Sequence, residues 1–303
     1  MPDLHELATG LQFPEGPIAL RDGSVLVVEI KRGTLTRIAP DGKKTVVAHT
    51  GGGPNGAAIG PDGKVYVCNN GGFEWHEVGP FLLPGNQPDD YAGGSIQRVD
   101  LATGAVETLF TACGPNALRG PNDLVFDATG GFWLTDHGKT RPRDRDRGGL
   151  YYARPDGTLR EMVYPLDGPN GVGLSPDGKR VYVAETHTGR VFWWDLAAPG
   201  EIAPHASPNQ GHLLAGLPGL QLFDSLAVDA DGNVCVATLV NGGITIISPD
   251  GGKLEHVPMP DPLTTNICFG GPDLRTAWVT LSATGKLVSL PWPRPGLRLA
   301  FDA

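Results

Sequence analysis

A short unit recurs six times along the 303 residues, and no other feature restricts the possible folds as strongly. Its clearest copy is Gly168-Pro169-Asn170-Gly171 running into VGLSPDGKRVYVAE. A turn carries one polar side chain, an apolar run of strand length follows, a Pro-Asp-Gly hairpin reverses the chain, and a second apolar run ends on another polar residue. The other copies lead with Glu15, Asn55, Asn122, Asp224 and Asn266, and their second runs end on Glu29, Asn69, Asp136, Thr238 and Thr280. In these five copies the two polar positions are fourteen residues apart. From Asn170 to Glu185 the interval is fifteen, because Lys179-Arg180 lengthens the hairpin.

Each copy continues into two further strand-like segments, for example GTLTRIA and KKTVVAH after Glu29, or GGLYYAR and TLREMVY after Asp136. After Thr280 only GKLVSLPW is clear. The missing fourth strand is either LHELATGL from the N-terminus or LRLAFDA from the C-terminus, and either closes a ring by pairing the chain ends. The pattern predicts an all-β protein: a six-bladed β-propeller with four antiparallel strands per blade, as one domain over residues 1–303. No copy can bury its apolar face alone, which argues for one ring rather than two domains. The 44 glycines and 28 prolines fit this, since Asp-Gly pairs at 22–23, 41–42, 62–63, 156–157, 177–178, 231–232 and 250–251 supply hairpin turns. A helical reading fails for want of a 3.6-residue apolar period.

A net charge of −9 with no long basic run speaks against nucleic acid and anionic membrane surfaces as partners. No apolar stretch approaches the roughly 18 residues of a membrane span. The opening MPDLHELATGLQF lacks the basic flank and apolar core of a signal peptide. Cys68, Cys113, Cys235 and Cys268 form no CxxC pair and read as reduced thiols, so the cytoplasm is the expected compartment. A monomer or small homo-oligomer is expected.

In a propeller the first strand of each blade lines the central channel, so the six leading residues converge on one mouth. The second strands return to that face and deliver their terminal polar residues there. The connections after them lie on the same face, and two are long: 70–93, with FEWHEVGPFLLPGNQPDDY, and 137–147, HGKTRPRDRDR. Long loops on a rigid scaffold commonly carry substrate contacts. The first, with Phe73, Trp75, His76 and Phe81, reads as an apolar lid wall; the second reads as a self-paired, solvated loop. Glu15, Asn122, Asn170 and Asp224 are converging oxygen donors with two charges among them. Such donors suit a hard divalent cation, Ca²⁺ most naturally, with Zn²⁺, Mn²⁺ or Fe²⁺ as alternatives. Asn and Asp also recur simply because they cap turns, but two carboxylates around a narrow channel repel without a cation. Asn55 and Asn266 are expected either to touch substrate or to support the ligands. The same is expected of Asn69, Asp136, Glu185, Arg119, Trp75, His76 and His137, with Glu29 a further supporting carboxylate and His187 a further histidine on this face.

These residues carry a resemblance. The chain resembles the senescence marker protein / gluconolactonase / luciferin-regenerating-enzyme family over nearly its whole length, and more distantly diisopropyl fluorophosphatase. FPEGP, GPNG-VGLSPDG, FDSLAVDADGNV and TNICFGGPDLRTAWVT are the specific pieces. The resemblance implies a propeller holding one divalent metal ion, with lactone hydrolysis the commonest activity. It matches Glu15, Asn170 and Asp224 to the family's metal-binding residues. Asn122 matches a ligand of the phosphotriesterase-like branch and a substrate contact of the gluconolactonase-like branch. The latter branch often has arginine two positions before that Asn; here the position is Gly120, and Arg119 stands one residue further away. The expected function is metal-dependent hydrolysis of a sugar or other small lactone, the metal acting as Lewis acid and Asp224 as base, water-orienting group or nucleophile. An esterase or phosphotriesterase on the same site is the alternative in chemistry. A non-catalytic binding scaffold is the alternative in class, and its signature is a channel plugged by apolar side chains. No G-x-S-x-G nucleophile elbow is present.

Overall fold

The computed structural model describes residues 2–206 and 211–302. Six antiparallel sheets form blades around a central channel. Their channel-lining strands are Pro14–Ala19, Pro54–Ile59, Pro121–Phe126, Pro169–Leu174, Leu222–Val228 and Thr264–Gly270, for blades 1 to 6 in chain order. Each sheet runs outward through three more strands, and blade 4 adds the short Glu201–Ile202. Among the described residues no helix is long and apolar enough to cross a membrane.

The hairpins form as the turn residues dictate. Asp22, Asp41, Asp62, Asp156 and Asp177 each accept a hydrogen bond from the backbone N–H two residues on. The glycine in between takes a left-handed φ, +83° at Gly23 and +100° at Gly157. The second strands, such as Val25–Glu29 and Phe132–Asp136, are buried along their whole length because a blade packs against each face. The outermost strands, such as Lys44–His49, are largely exposed and carry charges that blunt a sheet edge.

Six apolar clusters hold the ring together, one between each pair of neighbouring blades. Leu26 and Val28 of blade 1 pack on Val65 and Val67 of blade 2, and Trp133 and Leu150 of blade 3 pack on Val181 and Trp194 of blade 4. The ring closes through the N-terminus: His5–Ala8 pairs antiparallel with Lys286–Pro291 in blade 6. Leu7, Ala8 and Leu287 then meet Val25, Val27 and Ile38 of blade 1, so chain closure and blade packing are one event. Of the C-terminal LRLAFDA, the described residues 297–302 form no blade strand.

That segment instead crosses the far mouth of the channel. Arg294 grips the buried Asp229 of blade 5 at 2.7 Å, and Leu297 N–H donates to the Val228 carbonyl. Further along, Phe301 lies edge-on to Phe126 of blade 3, and Asp302 pairs with Arg21 of blade 1. Beneath it lies a cavity of about 800 Å³, lined by apolar side chains such as Ile18, Leu124, Val172 and Leu226 from the channel strands.

Candidate metal centre

The first strand of every blade carries a register irregularity at its start, between Glu15 and Ile18, Pro54 and Ala57, Pro121 and Leu124, Pro169 and Val172, Phe223 and Leu226, and Thr264 and Asn266. A bulge turns a backbone N–H out of the ladder. In four blades a polar side chain at the bulge takes up the next residue's N–H: Glu15 that of Gly16, Asp123 that of Leu124, Asp224 that of Ser225, and Asn266 that of Ile267. Part of the reason for polar residues here is therefore local.

The bulges also bring neighbouring strands unusually close. A Cβ on Gly56 would lie 2.5 Å from the Asn122 carbonyl, and one on Gly171 2.5 Å from the Leu226 nitrogen. Glycine is required where the backbones approach this tightly. The ring that results places Glu15, Asn55, Asn122, Asn170, Asp224 and Asn266 in sequence around one mouth, as the topology predicts. Glu15, Asn55, Asn122, Asn170 and Asn266 are buried, while Asp224 keeps some surface at the mouth.

Contacts within the ring aim its oxygens. Asn266 Oδ1 is committed to the Ile267 N–H, so its Nδ2 donates to Glu15 Oε2 at 2.7 Å. Asn170 Nδ2 donates to Thr186 Oγ1 at 3.1 Å, which leaves its Oδ1 facing Ser225 in blade 5. Asn122 Oδ1 is buried with no hydrogen-bond partner. A buried carbonyl oxygen left unmatched is costly unless a ligand completes it.

The sequence pattern conceals a third acid, Asp123. It is buried directly after Asn122, and its Oδ2 reaches the Val172 N–H of blade 4 at 3.4 Å. With Gly16 and Asn266 it lines the ring end of the apolar cavity. Its signal was a break in the repeat: the same position holds Gly16, Gly56 and Gly171 in blades 1, 2 and 4. Burial pushes the Glu15 carboxyl up to about 7, against hydrogen bonds from Asn266, Gly16 and Thr265. Burial, then the charge of Glu15, pushes Asp123 up to about 8. The same two causes hold Asp224 well above the usual carboxylate range.

Burial opposes the charged form of all three carboxyl groups, and the charge of Glu15 adds to this at Asp123 and Asp224, so a bound cation would favour their ionised forms. Among the described residues no three His, Cys, Asp or Glu side chains are grouped to hold an ion by themselves. The set that fits a cation is mixed: the Glu15 and Asp224 carboxylates with the amide oxygens of Asn122 and Asn170, all hard oxygen donors.

The residues ending the second strands serve differently from the expectation. Glu29, Asn69, Asp136 and Glu185 clamp the loop that precedes their own blade's leading residue. Glu29 accepts from Gln12 N–H, Asn69 from Gly53 N–H, Asp136 from Arg119 and Gly120 N–H at 2.7 and 2.6 Å, and Glu185 from Asp167 N–H. Their oxygens go to these backbone donors and to neighbouring side chains, Thr36 and Arg32 at Glu29 and Thr188 at Glu185, and among the described residues no hydrogen bond joins them to the amide groups of Asn122 or Asn170. Arg119 likewise contributes main chain: its side chain is exposed and its carbonyl accepts from the Tyr91 hydroxyl. His76 is exposed on the Trp75–Val78 strand of the long loop, whereas Trp75 packs on Phe13 at 5.2 Å. His137 and His187 face each other at 5.2 Å across Gly168. Burial, with help from His187 and Lys139, pulls His137 down to about 3, so it is neutral at physiological pH.

A six-bladed propeller with a carboxylate–amide ring at one mouth is the class that fold and site define. The chain belongs to the SMP-30/gluconolactonase/LRE-like family, whose model matches residues 13–283. It is similar to a gluconolactonase of Zymomonas mobilis, 26% identical over 299 residues covering 88% of this chain and 76% of the relative. It is also similar to the lactonase drp35 of Staphylococcus saprophyticus, 30% identical over 256 residues, 83% of this chain and 71% of the relative. The solved structure of regucalcin from Agrobacterium tumefaciens, described as a calcium-binding protein, shares the fold with a TM-score of 0.74 at 19% identity, over 98% of each chain.

Proposed function

We propose that this protein is a divalent-metal-dependent lactonase, opening a small cyclic ester to its hydroxy acid. The observation that carries the reading is the ring itself: three acids whose charged forms burial opposes, beside an unpartnered Asn122 Oδ1. Lactone hydrolysis is the activity for which the relatives are named. Glu15, Asn122, Asn170 and Asp224 would hold the ion, and Ca²⁺ suits a set made only of oxygens. When bound, the ion supplies Lewis acidity toward a carbonyl and lowers the pKa of water.

The chain's own residues do the rest. Glu15 is fixed by Asn266 and the Gly16 N–H, so its carboxylate is a rigid anchor. Asn170 is turned by Thr186 so that its oxygen, not its nitrogen, faces Ser225 and the ring. Asp224 retains surface at the mouth and is placed to orient the attacking water and take its proton. His137, held neutral, can donate or accept a hydrogen bond but is too weak a base to drive the step. The four free cysteines suit a reducing compartment such as the cytoplasm.

The test is hydrolysis of a panel of sugar-acid, aliphatic and aromatic lactones by chelated protein, then after adding back single divalent ions. Activity lost on chelation and restored by one ion is the expected result. A panel untouched under every ion, with phosphoesters cleaved instead, would replace the lactonase reading by the phosphotriesterase one.

A further inference from the structure

Lys139 is the one lysine among the largest fully buried side chains, although it sits in the most highly charged loop of the sequence. Its ammonium forms no ion pair within contact distance among the described residues, although the charges of Asp136 and Asp146 act on it from further away. It donates to the Gly72 carbonyl and, at 3.4 Å, to Asn70 Oδ1, and it lies 4.1 Å from the Phe73 ring centre and 5.6 Å from that of Tyr91. All four partners belong to the 70–93 loop of blade 2, whereas Lys139 belongs to blade 3. Its own backbone is pinned in both directions by Asp146, which accepts from Lys139 N–H and donates its N–H to the Lys139 carbonyl. Removal from water pulls its ammonium down to about 7, so this contact is maintained against a real cost.

The loop it grips does not stay over its own blade. Its hairpin, Trp75–Val78 and Phe81–Pro84, reaches blade 1 through Trp75 on Phe13 and Glu77 on Lys31, and blade 6 through Leu82 N–H to the Ala283 carbonyl. At its other end Gln87 N–H bonds the Thr140 carbonyl of blade 3. Every anchor lies on the ring face. The loop is therefore a wall over blades 6, 1, 2 and 3. Blades 4 and 5 present only short connections there, 186–189 and 240–242 within the blades and 217–221 and 259–263 leading to the next blade.

We propose that Lys139 is a positioning residue: its buried ammonium pins the 70–93 loop as a fixed wall, so that substrate reaches the metal-centre ring over blades 4 and 5 and is held against that wall. The consequence for substrate rests on the lactonase reading; the pinning itself does not. Two substitutions act in opposite directions. Lys139→Met keeps length and apolar packing but removes the donors. Asn70→Asp replaces a buried, unpartnered Nδ2 by an oxygen and gives the ammonium a counter-charge.

Chymotrypsin has sites at Phe73, Trp75, Phe81 and Tyr91 in the loop, and cleavage there reports its opening without any lactone. Folding of each variant is checked by circular dichroism. The expected result is cleavage at least about tenfold faster in Lys139→Met and severalfold slower in Asn70→Asp. On a lactone that the wild type turns over, KM rises severalfold in Lys139→Met with kcat little changed. Wild-type cleavage rates in both variants overturn the proposal. Should Lys139→Met not fold, Asn70→Asp decides alone: slower cleavage supports the pin, and equal or faster cleavage refutes it. If the wild type opens no lactone, the function reading fails while the cleavage rates still judge the pin.

Discussion

The two mouths of the channel are built by the same six strands and do opposite things. At one mouth the strands begin with bulges, tight glycines and polar side chains, and three acids crowd a space with no lysine or arginine among its ring residues. At the other mouth the same strands end in Ile18, Ile59, Phe126 and Leu174, and the C-terminal segment lies across the opening with Phe301 on Phe126. Only about four residues of strand separate the two environments. The far mouth is apolar and covered, with a cavity beneath the cover rather than a plug, whereas the ring gathers acids whose charged forms burial opposes, an arrangement that scaffolding does not require. One repeat thus carries polar, charge-bearing groups in its first position and the packing that holds the ring in those that follow.

The contrast can be broken most severely at the ring. Asp224→Asn and Glu15→Gln should each lower lactone turnover on the order of 10³-fold or more while leaving the propeller folded. Their metal-free thermal midpoints should be no lower than wild type at pH 8, since each removes an acid whose charged form burial opposes. Activity assays beside circular dichroism check both halves. A variant that is inactive because it has unfolded would count against the division between the mouths.

Asp123→Asn comes next. It leaves the bulge hydrogen bond to Leu124 available but removes an acid just below the ring that a bound cation would ionise. The affinity for a divalent ion should fall about 10- to 100-fold, as for other groups that tune a site without being its principal ligands. Calorimetric titration measures it, and an unchanged affinity would mean that Asp123 belongs with the apolar cavity alone.

A smaller effect follows from pH. With Glu15 raised to about 7 and Asp123 to about 8, the folded metal-free protein holds protons that the unfolded chain has already released above its ordinary carboxyl range. Its stability therefore falls as pH rises from about 4 to about 8. A cation must displace those protons, so the thermal shift produced by Ca²⁺ should be slight at pH 5 and largest near pH 8. A shift independent of pH would place the ion elsewhere.

The distal mouth supplies the mildest change. Phe301→Ala should cost about 1–2 kcal/mol, less than a fully buried phenylalanine, with no change in lactone kcat/KM. A loss of activity comparable to that of Asp224→Asn would join the two mouths into one site.

Much of this could be read from the chain. Fourteen-residue spacing and Asp-Gly turns give the blades, and the leading residues give the ring. What escaped did so for identifiable reasons. Strand alternation hides the residue after each leader, but the bulge turns it inward too, so Asp123 was invisible despite standing where other blades need glycine. The polar ends Glu29, Asn69, Asp136 and Glu185 share a face with the ring, yet which donors claim their oxygens depends on loop paths that spacing does not record. Lys139 sits among arginines and aspartates that do pair locally, Arg141 with Asp144 and Asp146, and nothing in composition separates it from them. The choice of terminus for closure turned on register: His5 faces Ser289, and the C-terminal segment was needed elsewhere.

The ring, as proposed, is one cation site serving one reaction. Its most direct test is equilibrium titration of chelated wild type, Glu15→Gln and Asp224→Asn with Ca²⁺ at pH 8, with lactone turnover followed in the same samples. One ion bound per wild-type chain, turnover rising in proportion to occupancy, and neither in the two variants is the predicted result. Full turnover by metal-free wild type, or undiminished Ca²⁺ binding by both variants, would contradict it.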